Sequence, residues 1–147
     1  MSRVAGYELE DLLALRALSR DELTTRLGAL ETDPDEGYEQ IAGVDRLHDP
    51  ATFPGHFYFD GEELRMLYVP RSALADTDLD ELRRELGEPA ATLSSRTGED
   101  STLFVYPERG VAFASDGERV EIVEIFPPTT LEAYESAIYK DPGDFIR

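Results

Sequence analysis

The chain holds 147 residues, enough for one domain with a buried core, and 41% of them are hydrophobic, which excludes global disorder. Its 32 Asp and Glu against 14 Lys and Arg give a formal charge of −18, and with no Cys it cannot use thiol nucleophiles, disulfides, iron–sulfur clusters or Cys-type zinc sites. No apolar run approaches the roughly 20 residues that span a bilayer, and Glu8, Glu10 and Asp11 stand where a signal peptide needs an apolar stretch, so a cytoplasmic location without membrane contact is expected.

Thirteen of the basic residues are Arg and only Lys140 is Lys. A carboxylate surface almost without Lys resembles that of salt-in halophilic archaeal proteins. At ~1 M salt the Debye length falls to about 3 Å, so repulsion among the acids is screened. The charge then reads as a solvation device rather than as the mark of a basic partner. No block of five like charges suggests an acidic tail.

Along the chain, Leu9, Leu12, Leu13 and Leu18 recur near helical spacing and predict a first helix over Tyr7–Leu18. Ser19-Arg20-Asp21-Glu22 is a capping box, and its short helix should stop at Leu27-Gly28. Glu31–Gly55 contains Pro34, Pro50 and Pro54 and reads mainly as loop. Phe57–Phe59 and Leu64–Val69 flank Asp60-Gly61-Glu62, a hairpin signal. Asp78 with Glu81 three residues on caps another helix, stopped by Leu86-Gly87-Glu88-Pro89. Ala91–Arg96, Thr102–Tyr106, Val111–Ala114 and Val120–Phe126 then predict a four-stranded antiparallel meander, with Asp116-Gly117-Glu118 as its last turn. Thr129-Thr130-Leu131-Glu132 caps a final helix over Leu131–Tyr139, ahead of a Phe145-Ile146 tail.

Ser19–Gly28 and Asp78–Gly87 share five of ten residues, and each is followed by a hairpin with Asp-Gly-Glu and then by Pro. The expected fold class is therefore α+β in one compact domain over residues 1–147. Two similar units of short helices followed by an antiparallel sheet, residues 19–70 and 78–128, precede a C-terminal helix over 130–140. With its Leu27-Gly28 and Leu86-Gly87-Glu88-Pro89 stops and the aromatic strand pairs after them, this arrangement is similar to the β-lactamase-inhibitor-protein fold and the single unit of SmpA/OmlA-type lipoproteins. The resemblance covers Leu18–Phe126 and implies a binding scaffold whose sheet faces a partner. It carries no catalytic residue, and the lipoproteins' N-terminal Cys is absent here.

Motifs for chemistry are sparse. His48 and His56 are the only histidines and lie in a Pro-broken stretch with Asp49, Asp60, Glu62 and Glu63, a mixed set that could hold a metal but matches no familiar ligand spacing. Ser94, Ser95 and Ser115 lack a nucleophile elbow, phosphate-binding Gly loops are missing, and no basic cluster exceeds Arg83-Arg84, which argues against nucleic acid. Arg83 and Arg84 are expected to pair with acids such as Glu81 and Glu88 at helical spacing. In the strands, Val120, Ile122 and Phe126 should face one way, and Val123 and Ile125 the other. Apolar residues on both faces predict that both are covered.

Tyr58, Arg65, Tyr68, Phe104 and Tyr106 are of the types enriched at binding surfaces, with Tyr58 and Tyr106 expected to be exposed and Phe104 to be core. The leading expectation is a non-catalytic protein-interaction or scaffold module, self-associating or binding a protein partner, without cofactor. The alternatives are a small-ligand or metal-binding protein or enzyme using the His48–Glu63 loop, and a helix-turn-helix regulator built on Glu8–Leu27.

Overall fold

A computed structural model of the chain describes residues 3–27, 31–32, 44–48, 55–60, 63–94 and 101–137. Two short strands, β1 (Arg3–Val4) and β2 (Tyr7–Glu8), pair ahead of helix α1 (Leu9–Ala14), which tightens into a 3₁₀ turn over Leu15–Ala17. Tyr7 and Glu8 therefore belong to the hairpin, and α1 starts two residues later than the leucine spacing suggests. Helix α2 (Arg20–Leu27) opens on the expected capping box: Glu22 N–H donates to Ser19 Oγ and Ser19 N–H to Glu22 Oε1, both at 3.2 Å. Its Gly28 stop lies outside the described residues.

The strands are β3 (Glu31–Thr32), β4 (Val44–His48), β5 (His56–Asp60), β6 (Glu63–Val69), β7 (Ala91–Ser94), β8 (Thr102–Tyr106), β9 (Val111–Ser115) and β10 (Val120–Ile125). Helix α3 (Leu79–Leu86) lies between β6 and β7, and α4 (Leu131–Ala137) follows β10. Asp78 caps α3 by accepting from Glu81 N–H at 3.1 Å, and Thr130 Oγ1 caps α4 by accepting from Ala133 N–H at 3.1 Å. Beyond Ala137 the expected helix and its Phe145-Ile146 tail lie outside the described residues.

The eight strands form one antiparallel sheet in the order β3-β4-β5-β6-β10-β9-β8-β7. Strands β3–β6 and β7–β10 each follow one another in chain order across the sheet, and the last strand of each run, β6 and β10, meet at the centre, where Tyr68 pairs with Glu124 and Val69 with Val123. The fold class is thus α+β. Val44–His48 corrects the loop expected over Glu31–Gly55. There the prolines flank the strand rather than interrupt it, leaving every ladder N–H available.

Helices α1, α2 and α3 cover one face of the sheet. Leu9, Leu12, Leu23 and Leu82 pack there on Phe57, Leu67, Phe113 and Ile125, all buried. On the opposite face Tyr58, Met66, Leu103, Val105, Ile122 and Phe126 are buried together with Tyr134 of α4. A bulge between Val120 and Ile122 shifts the phase of β10, so Val120 joins Val123 and Ile125 under the helices instead of Ile122 and Phe126. One extra residue in a strand reverses the facing of everything before it. The bulge residue Glu121 is buried and lies 3.7 Å from Arg71.

Turn chemistry is clearest between β9 and β10. Asp116 Oδ1 accepts from Glu118 N–H and Arg119 N–H, each at 2.9 Å, and these two donors hold its carboxyl below the usual carboxylate range. Gly117, at φ 101°, supplies the backbone conformation that a side chain resists.

Candidate functional site

The five aromatic and cationic candidates do not form one surface. Tyr58 is 3% and Tyr106 4% exposed, so both belong to the core, on opposite faces of the sheet. Tyr106 is buried because its ring stacks on Phe113 at 6.0 Å and its hydroxyl finds a partner, donating to the Gly87 carbonyl at 3.0 Å. A polar tip satisfied at a helix end lets the whole ring go inside. Burial pushes this hydroxyl's pKa up, and nearby Arg83 partly offsets the rise.

Phe104 stacks on Phe113 at 5.0 Å and is half-buried, packed against the core as expected, with the Arg83 guanidinium 5.4 Å above its ring. Arg83 thus lies over an aromatic face, a contact that helical spacing with Glu81 and Glu88 did not suggest. Arg65 sits at a second bulge, where β5 residues Tyr58 and Phe59 pair with Met66 and Leu64. Tyr68 is half-buried beside His56, with the ring centroids 6.1 Å apart.

The two histidines stand at strand ends. His48 ends β4 and pairs with Glu31, while His56 begins β5 and pairs with Tyr68. Along β4 and β5 the register runs Val44↔Asp60 to Leu47↔Phe57. Glu62 and Asp49 lie outside the described residues. Among the described residues no three His, Asp or Glu side chains are gathered as a metal site.

Two polar features escaped the sequence reading. Arg16 ties the first helices to the far half of the sheet: its Nη1 donates to the carbonyls of Arg109 at 2.6 Å and Phe126 at 3.2 Å, and its Nε to Leu13 at 3.0 Å. Burial and the nearby Arg109 lower its pKa, with Glu10 acting the other way. Glu124 is 2% exposed and accepts from the Tyr134 hydroxyl at 2.5 Å. A carboxylate inside Val-Glu-Ile-Val-Glu-Ile, a strand covered on both sides, was the available signal.

A groove of about 500 Å³ opens where α3 ends, β8 turns into β9 and α4 begins, lined by Leu86, Ala90, Tyr106 and Leu131 with the exposed Glu88 and Glu108. It adjoins β7, the outermost described strand on that side, where Thr92 and Ser94 are exposed. The helix pair considered for DNA binding folds as α1, the 3₁₀ turn and α2, and buries Leu9, Leu12, Leu15 and Leu23 in the core. No helix among the described residues is long and apolar enough to cross a membrane. No protein-family model, curated protein or solved structure matches the chain.

Proposed function

We propose that the protein is a non-catalytic interaction module of a salt-rich cytoplasm, and that its partner is an extended protein segment that adds a strand at β7. The observation that supports this best is the chemistry of that edge. Natural proteins blunt an exposed edge with charges, Lys or Pro inside the strand. In a chain with 31% charged residues, the run Pro89–Ser95 carries no charge, and its only Pro precedes β7. A strand added there would gain main-chain hydrogen bonds, and the adjoining groove would take an apolar side chain. The candidates Tyr58 and Tyr106 then act from inside, Tyr106 as a wall of the groove. Copying of one helix-plus-meander unit is supported by the mirrored strand order, and it would leave one outer edge at each end of the sheet.

A chain without Cys makes the test direct, because an introduced thiol is unique. Thr92→Cys bearing a maleimide photocrosslinker should join a partner in lysate at ~2 M KCl, whereas Asp80→Cys on α3, labelled in the same way, should not. Equal crosslinking from both sites would remove the edge from consideration.

The charge reading has its own expected outcome. The urea midpoint of unfolding should rise as KCl increases from about 0.2 M to about 2 M, since screening relieves repulsion among the exposed acids. A midpoint flat in salt would contradict adaptation to a saline interior.

A further inference from the structure

We infer that the strand added at β7 is β7 of a second copy of this chain, the two meeting about a two-fold axis at Thr92 as one continuous sheet. The inference rests on the reading of β7 as the binding edge. Charge is its first ground. About a two-fold axis a strand faces itself, so a charge at the axis meets its own like, and like charges directly opposed destabilise a strand pair. A strand made for a foreign partner is free of that restriction and gains from a complementary charge. In a chain with 31% charged residues, Pro89–Ser95 has none.

The faces of β7 agree with such a pairing. Opposed residues of antiparallel strands share a face. With Thr92 opposite its own copy, Ala91 stands opposite the second copy's Leu93. Ala91 and Leu93 are half-buried on the face that carries α4, where they pair with Val105 and Leu103. The apolar row Ala112, Val105, Ala91 would then run on into Leu93, Leu103 and Ala114 of the second copy, covering surface that one chain leaves half-exposed. On the other face Thr92 is exposed beside Phe104, and Thr opposite Thr is a favourable cross-strand pair. The outermost described strand at the opposite end, β3, is two residues long against four in β7, and a very short strand is one way of blunting an edge. One competent edge closes a pair instead of growing head to tail into a filament. Four residues are few against the roughly 800 Å² per partner of a standard interface, so the association is reversible and rises with concentration.

Sedimentation of the purified full chain at ~2 M KCl should show a monomer–dimer equilibrium, because charges in direct contact are screened less than distant ones. Thr92→Lys and Thr92→Glu should each weaken the dimer about tenfold or more, equivalent to ~1.4 kcal/mol, since each sets like charges face to face. An equimolar mixture of the two variants should restore it, because opposite charges then meet across the axis. Thr92 is exposed, so the urea midpoint of each variant, read at a dilution where the chain is monomeric, should match that of the parent chain. A chain that stays monomeric, a dimer that both variants leave intact, or a mixture that remains monomeric would each overturn the two-fold pairing. If a monomeric chain bearing the Thr92→Cys crosslinker instead captures a different protein, the second copy is overturned and β7 stands as the binding edge. A dimer indifferent to both charge variants, together with no crosslinking from Thr92→Cys, would overturn the edge as well.

Discussion

Gly110→Ala should lower the unfolding free energy by about 3–5 kcal/mol, a large share of the 5–15 kcal/mol typical of a domain. Two costs combine. Gly110 has φ 71°, in the left-handed region, where an L side chain costs roughly 1–2 kcal/mol. Its Cβ would also overlap the Phe126 carbonyl oxygen and the Arg16 guanidinium. Arg16 can retreat only by giving up its bonds to the Arg109 and Phe126 carbonyls, and Phe126 is itself fixed by donating its N–H to the Gly110 carbonyl at 2.9 Å. The methyl therefore has to part the β8–β9 turn from the exit of β10. Gly117→Ala is the control: its φ is 101°, but nothing lies within reach of its Cβ, so only the backbone cost of about 1–2 kcal/mol applies. Urea unfolding at constant high KCl measures both variants. Equal losses would show that the close approach at Gly110 contributes nothing.

Local signals and long-range geometry were unequally legible in the sequence. Ser19 and Asp78 announced their helices because a cap is written within four residues, and both side chains accept the N–H three residues on. The meander over β7–β10 was legible for the same reason, since the Asp116-Gly117 turn fixes its own geometry. Strand β4 was not. Val44–His48 has only two apolar residues, Val44 and Leu47, three positions apart, and no turn signal of its own, and it becomes a strand through pairing with β5. The bulge at Glu121 was equally invisible, because simple alternation of Val120, Glu121 and Ile122 suits an unbroken strand.

The candidate site divides along the same line. Residue type pointed to Tyr58 and Tyr106 as surface rings, but type does not tell a surface ring from a core ring. Tyr58 and Tyr106 went inside because β5 and β8 lie within the sheet, covered on both faces. Tyr106 also needed a partner from elsewhere, the Gly87 carbonyl 19 residues away in sequence, and no local pattern records it. His48 and His56 offered no local pattern either. Their sequence spacing matches no ligand motif, and the structure places them at the ends of two neighbouring strands, β4 and β5.

Removing the Tyr134 ring should cost nearly as much as the Gly110 change, and should do so by detaching α4. Tyr134 is fully buried, packs on Phe126 with ring centroids 5.1 Å apart, and donates its hydroxyl to buried Glu124. Tyr134→Ala should cost about 3–5 kcal/mol, the range for a buried aromatic cut to Ala. Tyr134→Phe keeps the ring and removes only the donor to a carboxylate, for which a loss of about 1.5–3 kcal/mol is expected. If the hydroxyl acts through Glu124, a cycle adding Glu124→Gln should show a coupling energy of about 1–3 kcal/mol, since contacting groups are not additive. Amide exchange in Leu131–Ala137 should quicken in the Ala variant well before exchange in β9 changes, because α4 is held from one side of the sheet while β9 sits among paired strands. Additive losses across the cycle would mean that the hydroxyl–carboxylate contact carries no energy of its own, and uniform acceleration throughout the chain would mean that α4 opens only with global unfolding.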